Sequence, residues 1–335
     1  MYRLLRRLLF LLPPEAAHRL ATFALDLAAP LLRRPPPPAP VLALGLHFPN
    51  PVGLAAGFDK NAEHLRGLAG LGFGFLEVGS VTLRPWPGNA RPRLFRLPAD
   101  GALINRMGLN NHGAVAVAER LAQRRPGVPV FVNVAKTPDP ALEGAAAIDD
   151  YVQSFRILAP HADALVLNIS CPNSGDGRTF EDPDALAALL DAVVPERGGR
   201  PLLVKLSPDL SPEALESVVR IALARGVDGF TATNTTVART GLHTPEATLK
   251  SIGRGGLSGA PLRLRSLEVV RRVRALTDRP IVAVGGIQTA EHAREALAAG
   301  ATLVQLYTGF VYGGPGTARR IARDLGRGLA RGSAG

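Results

Sequence analysis

Eight short apolar segments recur along residues 51–335, and this repetition constrains the fold more than any other feature of the sequence. Each segment is rich in β-branched or other apolar residues, which is typical of a buried strand, and each is followed by helical periodicity. The predicted strands are PVGLAA, FLEVGS, VFVNVA, ALVLNIS, PLLVKLS, GFTATN, PIVAVGG and LVQLYT. Between and after them we expect helices near residues 61–70, 111–124, 149–159, 183–194, 211–224, 264–276, 289–298 and 315–330.

Eight strand–helix units with right-handed crossovers close naturally into a barrel of parallel strands. We therefore predict an α/β protein in which residues 51–335 form a (β/α)8 TIM barrel, preceded by an N-terminal amphipathic helical hairpin. A doubly wound open sheet is the alternative, but no G-x-G-x-x-G motif follows the first strand. A barrel routinely runs past about 250 residues as one unit, so the length requires no second globular domain.

Residues 1–34 predict two short helices joined at Pro13 and Pro14. The basic, leucine-rich start suggests a signal peptide, but the apolar run is short, the prolines interrupt it, and no convincing small-residue cleavage site follows. No segment reaches the roughly 20 apolar residues that a membrane-spanning helix needs. Residues 35–50, which open with a proline run, are predicted to form a semi-rigid linker and a short β-hairpin.

The two N-terminal helices are predicted to be amphipathic. In the first, leucines lie along one side and arginines are spread around the other: Leu4, Leu5, Leu8, Leu11 and Leu12 against Arg3, Arg6 and Arg7. The second, from about residue 14 to 32, places apolar residues at helical spacing: Ala17, Leu20, Phe23, Ala24 and Leu27. Basic, leucine-rich helices of this kind lie on membranes, so we expect peripheral membrane association. A hairpin packed against the main domain is the alternative.

The formal net charge of +11 comes mostly from arginines spread along the chain. An arginine-rich proteome explains this charge, and so does attraction to anionic lipid or substrate; we expect no nucleic-acid partner. The single cysteine, Cys171, excludes an internal disulfide framework and a multi-cysteine metal site. The chain therefore fits a reducing compartment, and we expect no bound metal.

Polar residues follow almost every predicted strand. In a barrel the chemistry lies at the carboxyl ends of the strands, where the loops gather. The residues found there are Lys60, Ser80, Asn133, Asn168 with Cys171, Lys205, Thr233 with Asn234, Gly285 with Gly286, and Tyr307 with Thr308. Two lysines and several asparagines at one face indicate a polar ligand. The VGGI and YTG loops, each ahead of a helix, favour a phosphate site, although VGG alone is also typical of a tight turn.

The segment NISCPNSGDGR places a thiol, Cys171, between the amides of Asn168 and Asn173. A lone cysteine is most often a small buried apolar residue. Here its context favours chemistry, because amides at Asn105, Asn168, Asn173 and Asn234 could together bind a planar ring that bears N–H and C=O groups. Lys60 offers a cation for a carboxylate.

Nine ordered blocks resemble the signature blocks of dihydroorotate dehydrogenases. They are GLAAGFDKNAEHL, EVGSVTLRPWPGNARPRLFRL, LINRMGLNNHG, NISCPN, VKLSPDL, TATNTT, GGLSGAPL, VGGI and LVQLYTGF. The resemblance covers about residues 14–330. The N-terminal PEAAHRLA also resembles the membrane-bound class, which carries a helical hairpin before its barrel, whereas soluble members lack that hairpin. The resemblance implies oxidation of (S)-dihydroorotate to orotate in de novo pyrimidine (UMP) biosynthesis, by a monomer at the cytoplasmic face of the cell membrane.

The resemblance also implies FMN as the cofactor, lying across the barrel mouth. The residues that match its binding site are Ala56, Gly57, Ser80, Asn133, Asn168, Lys205, Thr233, Gly259, Gly286, Tyr307 and Thr308. Lys205 is expected beside the flavin N1 and O2 edge, where negative charge grows on reduction. The residues that match the substrate site are Lys60, Asn105, Arg106, Met107, Gly108, Leu109, Asn168, Asn173, Asn234 and Thr235. In the family, a base removes a C5 proton and a C6 hydride passes to flavin N5.

For reoxidation of the flavin, the resemblance implies a membrane quinone that enters through a tunnel under the N-terminal helices. His18 and Arg96 match the polar residues flanking that tunnel. The alternatives are that His18 merely caps the second helix and that Arg96 is a surface charge on a hairpin.

The chain departs from the membrane-bound class around the catalytic base. That class has serine in a block like NISSPN, where this chain has Cys171, as in the soluble classes. The usual threonine three residues later is Ser174, and the usual phenylalanine of the NRMGF block is Leu109. A thiol has a pKa of about 8.5, far below that of a serine hydroxyl, so a thiolate forms without a strong relay. We hypothesise that this lower demand for activation accommodates the other two changes.

Three other functions remain open from the sequence. The same oxidation could use a soluble acceptor such as fumarate, as Cys171 would suggest. The barrel could be a flavin-free aldolase with Lys60 or Lys205 as its Schiff-base lysine. It could also be a non-catalytic scaffold at the membrane surface. The last two leave the set of asparagines unexplained.

Overall fold

The computed structural model describes residues 2–32, 35–123, 125–169 and 180–332. The strands in this part of the chain are β1 (Val41–Ala43), β2 (Leu46–Phe48), β3 (Val52–Leu54), β4 (Phe75–Val81), β5 (Leu94–Leu97), β6 (Ala102–Asn105), β7 (Val130–Val134), β8 (Ala164–Asn168), β9 (Leu202–Leu206), β10 (Gly229–Ala232), β11 (Gly256–Gly259), β12 (Ile281–Val284) and β13 (Leu303–Leu306).

The helices of the described ranges are α1 (Tyr2–Leu11), α2 (Pro14–Ala28), α3 (Leu65–Gly70), α4 (Gly113–Gln123), α5 (Gly144–Leu158), α6 (Pro183–Val193), α7 (Pro212–Ala224), α8 (Glu246–Ile252), α9 (Arg263–Leu276), α10 (Ala290–Ala298), α11 (Thr308–Gly313) and α12 (Thr317–Gly332). No helix among the described residues is both long and apolar enough to cross a membrane.

Eight strands close into a barrel in the order β3, β4, β7, β8, β9, β10, β12 and β13, with β13 pairing again with β3. Every neighbouring pair is parallel. These strands coincide with the eight predicted apolar segments, which confirms the (β/α)8 fold. The helices form an outer layer, and the main apolar core lies between them and the outward-facing barrel residues.

Two predicted helices differ in where they begin. The first was expected from residue 61 but begins at Leu65, because Asp59 holds the preceding residues in a turn. Its carboxylate accepts backbone N–H groups from Asn61, Glu63 and His64 at 3.3, 2.9 and 2.8 Å. Helix α5 begins at Gly144 instead of residue 149, since a run of alanines with high helix propensity but no amphipathic pattern extends it.

The β1–β2 hairpin closes the amino-terminal end of the barrel. Its turn contains Leu44 and Gly45 at φ of 55° and 69°, the left-handed pair that a two-residue hairpin turn requires. Phe48 packs edge-to-face on Phe75 and Phe131, with ring centroids 5.4 and 6.0 Å apart. The hairpin therefore seals the barrel floor with aromatic side chains, and the opposite end remains as the place for a ligand.

A second sheet lies outside the barrel and contributes to the ligand-binding end. Strands β5, β6 and β11 are antiparallel, in the order β11–β6–β5. An isolated bridge between Thr236 and Leu257 joins this sheet to the loop after β10. The sequence pattern did not predict this sheet, because its strands contain only four residues each and alternate too briefly to show a period.

Candidate active site

A cavity opens at the carboxyl ends of the barrel strands. Among the residues predicted for the cofactor, those that line it are Ala56, Gly57, Ser80, Asn168, Lys205, Thr233, Gly259, Gly286, Tyr307 and Thr308. Among those predicted for the substrate, the ones that line it are Lys60, Asn105, Met107, Gly108, Leu109, Asn168, Asn234 and Thr235. The fold therefore gathers both sets around one space.

Two described residues predicted for the cofactor or the substrate, Asn133 and Arg106, do not line this cavity. Asn133 is fully buried below it, where its amide donates to Glu77 at 2.8 Å and accepts from the hydroxyl of Ser80. The side chain of Arg106 turns away and donates to the carbonyl groups of Ile252 and Pro92. Cys171 and Asn173 lie outside the described residues, as does Ser174.

Arg106 also has its backbone groups engaged elsewhere. Its N–H donates to the Arg93 carbonyl at 2.9 Å, and its carbonyl accepts from Asn89 at 2.8 Å. Its guanidinium lies over the ring of Phe95, 4.7 Å from the centroid. Arg106 thus ties β6 to the segment before β5, and the neighbours Asn105 and Met107 are the ones that reach the cavity.

Lys60 places a half-buried cation at the cavity wall. Its Nζ donates to the carbonyl of Gly57 at 2.6 Å, and the loop that carries it is fixed by the Asp59 turn. Burial lowers the pKa of Lys60 to about 8, and repulsion by Arg93 adds to the effect, while Glu15 and Asp59 oppose it. A buried cation with a lowered pKa gains most from an anionic ligand, because a negative charge offsets its desolvation.

Lys205 supplies a second cation from the floor of the cavity. It lies on β9 between apolar neighbours and is buried. Its Cα pairs with Asn168 on β8 and with Thr231 on β10. The burial of Lys205 excludes a solvated surface role for it.

Backbone approaches the cavity closely in the two loops after β12 and β13. A Cβ atom at Gly286 would lie 2.5 Å from Cβ of Arg263, and one at Gly309 would collide with the Ile287 carbonyl. Gly286 also has φ of 68°, a left-handed conformation that glycine adopts readily. These loops therefore line the cavity with backbone, as a phosphate cradle requires.

Asn105 and Asn234, two amides of the cavity wall, come from elements outside the barrel strands. Asn105 ends β6 and pairs with Gly256 of β11, while Asn234 and Thr235 follow β10. A Cβ at Gly256 would collide with the side chain of Thr235, so glycine permits the loop after β10 to pack on the second sheet. This packing brings residues far apart in the sequence to the same side of the cavity.

The sequence prediction missed several residues of the cavity wall. Ser258 lines it, with its hydroxyl 2.8 Å from that of Thr308. Gln305 also lines it from β13 although the side chain is buried. The signal for Gln305 was available, because a polar residue in the middle of the apolar strand LVQLYT needs a buried partner.

A second cavity of about 200 Å³ lies between α2 and the barrel and shares Gly57, Lys60 and Tyr307 with the first. His18 lines it from α2 and packs edge-to-face on Phe58, with centroids 4.7 Å apart. Burial lowers the pKa of His18 to about 4, and the charges of Lys60 and His64 lower it further. The imidazole is therefore neutral at ordinary pH, and its position within α2 (Pro14–Ala28) excludes a helix-capping role.

Arg96 lies where α1 meets β5. Its Nη1 donates to the carbonyls of Phe10 and Leu12 at 3.2 and 2.8 Å, and its guanidinium lies 4.5 Å from the centroid of the Phe10 ring. Burial lowers the pKa of Arg96. Arg96 thus binds the carboxyl-terminal end of α1, where a cation is favoured, so it is more than a solvated surface charge.

A third cavity, of about 380 Å³ and mostly apolar, adjoins the first through Leu109 and Asn168. Leu109 has φ of 55°, a left-handed conformation that is uncommon for a bulky residue. The departure from phenylalanine noted in the sequence thus lies on the wall between two cavities, where side-chain size decides how far they connect.

Comparison with known proteins identifies the family of this chain. The family model described as "Dihydroorotate dehydrogenase" matches residues 40–329. A protein of Rhodococcus opacus named "Dihydroorotate dehydrogenase (quinone)" is 50% identical, with 98% of this chain and 94% of that protein covered. One of the same name from Leifsonia xyli subsp. xyli is 51% identical, with 93% and 94% covered.

Solved structures show the same likeness. The crystal structure of DHODH from Eimeria tenella in complex with ferulenol matches with a TM-score of 0.84 at 35% sequence identity, covering 96% of this chain and 93% of that one. The ligand-free form from the same organism matches with a TM-score of 0.83 at 34% identity, covering 95% and 96%. The sequence match and the shared fold confirm the resemblance seen in the signature blocks, and the chain belongs to the dihydroorotate dehydrogenase family.

Proposed function

We propose that this protein oxidises (S)-dihydroorotate to orotate, with FMN as its cofactor and a membrane quinone as the final electron acceptor, in de novo pyrimidine biosynthesis. The observation that carries the proposal is the cavity at the strand ends, where Lys60 meets the amides of Asn105, Asn168 and Asn234. Dihydroorotate is a ring with N–H and C=O groups along its edge and one carboxylate. The amides can hydrogen-bond the N–H and C=O groups, and the cation of Lys60 can pair with the carboxylate.

The cavity also fits FMN. Its glycine-rich loops after β12 and β13 suit a phosphate, and its buried polar floor suits a heterocyclic ring. When bound, FMN supplies a two-electron acceptor for the substrate. Lys205 provides positive charge at the floor, where it favours an electron-rich ring. Ser80, Asn168 and Thr233 supply hydroxyl and amide groups from three alternate strands of the barrel wall, β4, β8 and β10.

Cys171 is proposed as the base that removes the C5 proton. Support comes from its motif, since the cysteine itself lies outside the described residues. Asn168 ends the strand directly before it and lines the cavity, so the chain leads from the cavity wall into the cysteine motif.

The quinone is proposed to reach the site from the α1–α2 side. The second cavity lies there, shares Lys60 and Tyr307 with the first, and is lined by the neutral imidazole of His18. A neutral imidazole can donate a hydrogen bond to a quinone oxygen without the cost of a buried charge. A fumarate-type acceptor would need no approach beneath the N-terminal helices.

The N-terminal helices are proposed to lie on the cytoplasmic face of the cell membrane. Their apolar side chains are exposed: Leu8 by 59%, Leu11 by 82% and Phe23 by 62%. Exposed apolar residues concentrated on two adjoining helices indicate an interaction surface. The hairpin also packs against the barrel, since α2 contacts α3 and β5 and α1 contacts α11, but these apolar side chains remain exposed.

The decisive experiment is an absorbance spectrum of the purified protein before and after anaerobic addition of dihydroorotate. We expect a flavin band that bleaches with the substrate and returns when ubiquinone or menaquinone is added. Fumarate in place of the quinone should leave the band bleached. A colourless protein that borohydride traps with a phosphorylated aldehyde would contradict the proposal and support the aldolase.

A further inference from the structure

On each of four barrel strands, one inward-facing residue is apolar and the inward-facing residue two positions later is polar. The segments are Phe75–Glu77 on β4, Phe131–Asn133 on β7, Leu203–Lys205 on β9 and Leu303–Gln305 on β13. Residues two apart in a strand face the same side, and the four apolar members share one cluster with Phe48. The barrel interior therefore has an apolar lower layer and a polar upper layer directly beneath the cavity.

Glu77 is the hydrogen-bonding centre of this upper layer. It is fully buried, and its two carboxylate oxygens accept from two different amides. Oε1 accepts from Nδ2 of Asn133 at 2.8 Å, and Oε2 accepts from Nε2 of Gln305 at 2.5 Å. Because a carboxylate accepts and does not donate, both amides must turn their NH₂ groups toward it.

The orientation of Asn133 fixes which groups donate and which accept in the next two hydrogen bonds. With its NH₂ on Glu77, Asn133 presents Oδ1, which accepts from the hydroxyl of Ser80. The Ser80 oxygen has then used its single proton, so it accepts from Nδ2 of Asn168 at 3.0 Å. The side-chain oxygen of Asn168, Oδ1, takes no part in these hydrogen bonds.

Both ends of this chain of hydrogen bonds are acceptors at the cavity. Gln305 and Asn168 line it while being only 1% and 6% exposed. Their oxygens, Oε1 of Gln305 and Oδ1 of Asn168, are buried and have no hydrogen-bond partner among the described residues. A buried acceptor without a partner is unfavourable, and a donor group on a bound ligand offsets that cost.

We propose that Glu77 is a positioning residue that sets the hydrogen-bonding polarity of the site, turning Gln305 and Asn168 into acceptors for N–H groups of the bound rings. The inference rests on the proposed function, since FMN and dihydroorotate are the rings that it places there. Glu77 itself touches neither ligand and acts through the intervening side chains. Gln305 becomes a ring-binding residue that the sequence motifs did not identify.

Glu77→Gln tests this directly, because it keeps the shape and removes the constraint. A glutamine can donate as well as accept, so Asn133 can reverse, Ser80 can reverse with it, and Asn168 can present NH₂ to the cavity. We expect the Kd for FMN to rise about tenfold, the value for one lost buried hydrogen bond. The flavin absorption maximum and midpoint potential of the holoenzyme should shift in the same variant.

Gln305→Met is the second variant, since it removes one of the two acceptors and leaves Glu77 in place. We expect weaker FMN binding and a shifted flavin spectrum there also. Leu303→Val is the matched control on the same strand: it perturbs the apolar lower layer, so it should lower the Tm and leave the spectrum and potential unchanged.

Failure of the inference and failure of the proposed function give different results. If the wild-type protein binds FMN but Glu77→Gln and Gln305→Met retain its Kd, spectrum and potential, the inference is wrong. Should Glu77→Gln fail to fold, unchanged values for Gln305→Met alone are sufficient to reject it. A wild-type protein that neither carries nor takes up FMN would instead overturn the proposed function.

Discussion

Replacement of Lys60 by methionine should selectively weaken binding of the product orotate. Methionine keeps an unbranched chain of similar length but removes the charge. The lysine is half-buried, and the carboxylate of Asp59 is already held by three backbone N–H groups. A ligand carboxylate can therefore serve as the anionic partner of this cation. Loss of one member of a buried charge pair costs about 2–5 kcal/mol. The orotate Kd should therefore rise by a factor of roughly 30 or more.

The pH dependence follows from the pKa of Lys60, which burial lowers to about 8. Below that pH the lysine is charged and binds the carboxylate. Above it the free protein holds a neutral amine, so the orotate Kd of the wild type should rise about tenfold per pH unit. In Lys60→Met the Kd should be high and flat across the same range.

The assay is a titration of the oxidised protein with orotate, followed through the flavin spectrum, so that no chemical step contributes. The Gly57 carbonyl, which Lys60 contacts, retains the Tyr307 hydroxyl as a donor at 3.4 Å, which limits structural damage in the variant. Lys250→Met is the matched control, because Lys250 is exposed and pairs only weakly with Glu246 on the surface. An orotate Kd within about twofold of wild type, with an unchanged pH profile, would refute the role of Lys60.

Three further predictions follow from the same structure. If Cys171 is the base, Cys171→Ser should move the pH dependence of flavin reduction to higher pH, and alkylation should abolish dihydroorotate oxidation while FMN stays bound; full activity after complete labelling would exclude the thiol. Phe23→Asp should reduce sedimentation of the protein with phospholipid vesicles. The control Leu264→Asp, at a residue 70% exposed on α9, should not reduce it. Equal loss of sedimentation in both variants would argue against a membrane-binding hairpin. Gly309→Ala should lower stability by about 1–3 kcal/mol and weaken FMN binding, because its Cβ would collide with the Ile287 carbonyl; a Tm and FMN Kd equal to wild type would contradict that packing.

The barrel and the presence of its polar mouth could be predicted from the sequence because both depend on local patterns. A strand buried between the barrel interior and a helix needs a nearly continuous apolar run, so eight such runs are visible without long-range information. The residue after each run must lie at the carboxyl end, which places Lys60, Asn168 and Lys205 at the same face of the barrel. Helix starts were less predictable, since Asp59 delays α3 through hydrogen bonds that no periodicity reveals.

What each side chain does at that face was decided by the tertiary structure. Asn133 and Gln305 both follow apolar residues on barrel strands, yet Asn133 lies below the cavity and Gln305 reaches it. Both amides donate to Glu77, but they do so from different strands. Arg106 belongs to a substrate block, but carbonyls of distant loops hold its side chain away. By itself the sequence determined the eight-stranded framework and the polar character of its mouth. Only the tertiary structure decided which way each polar group faces, because a hydrogen bond's direction depends on partners brought together from separate strands.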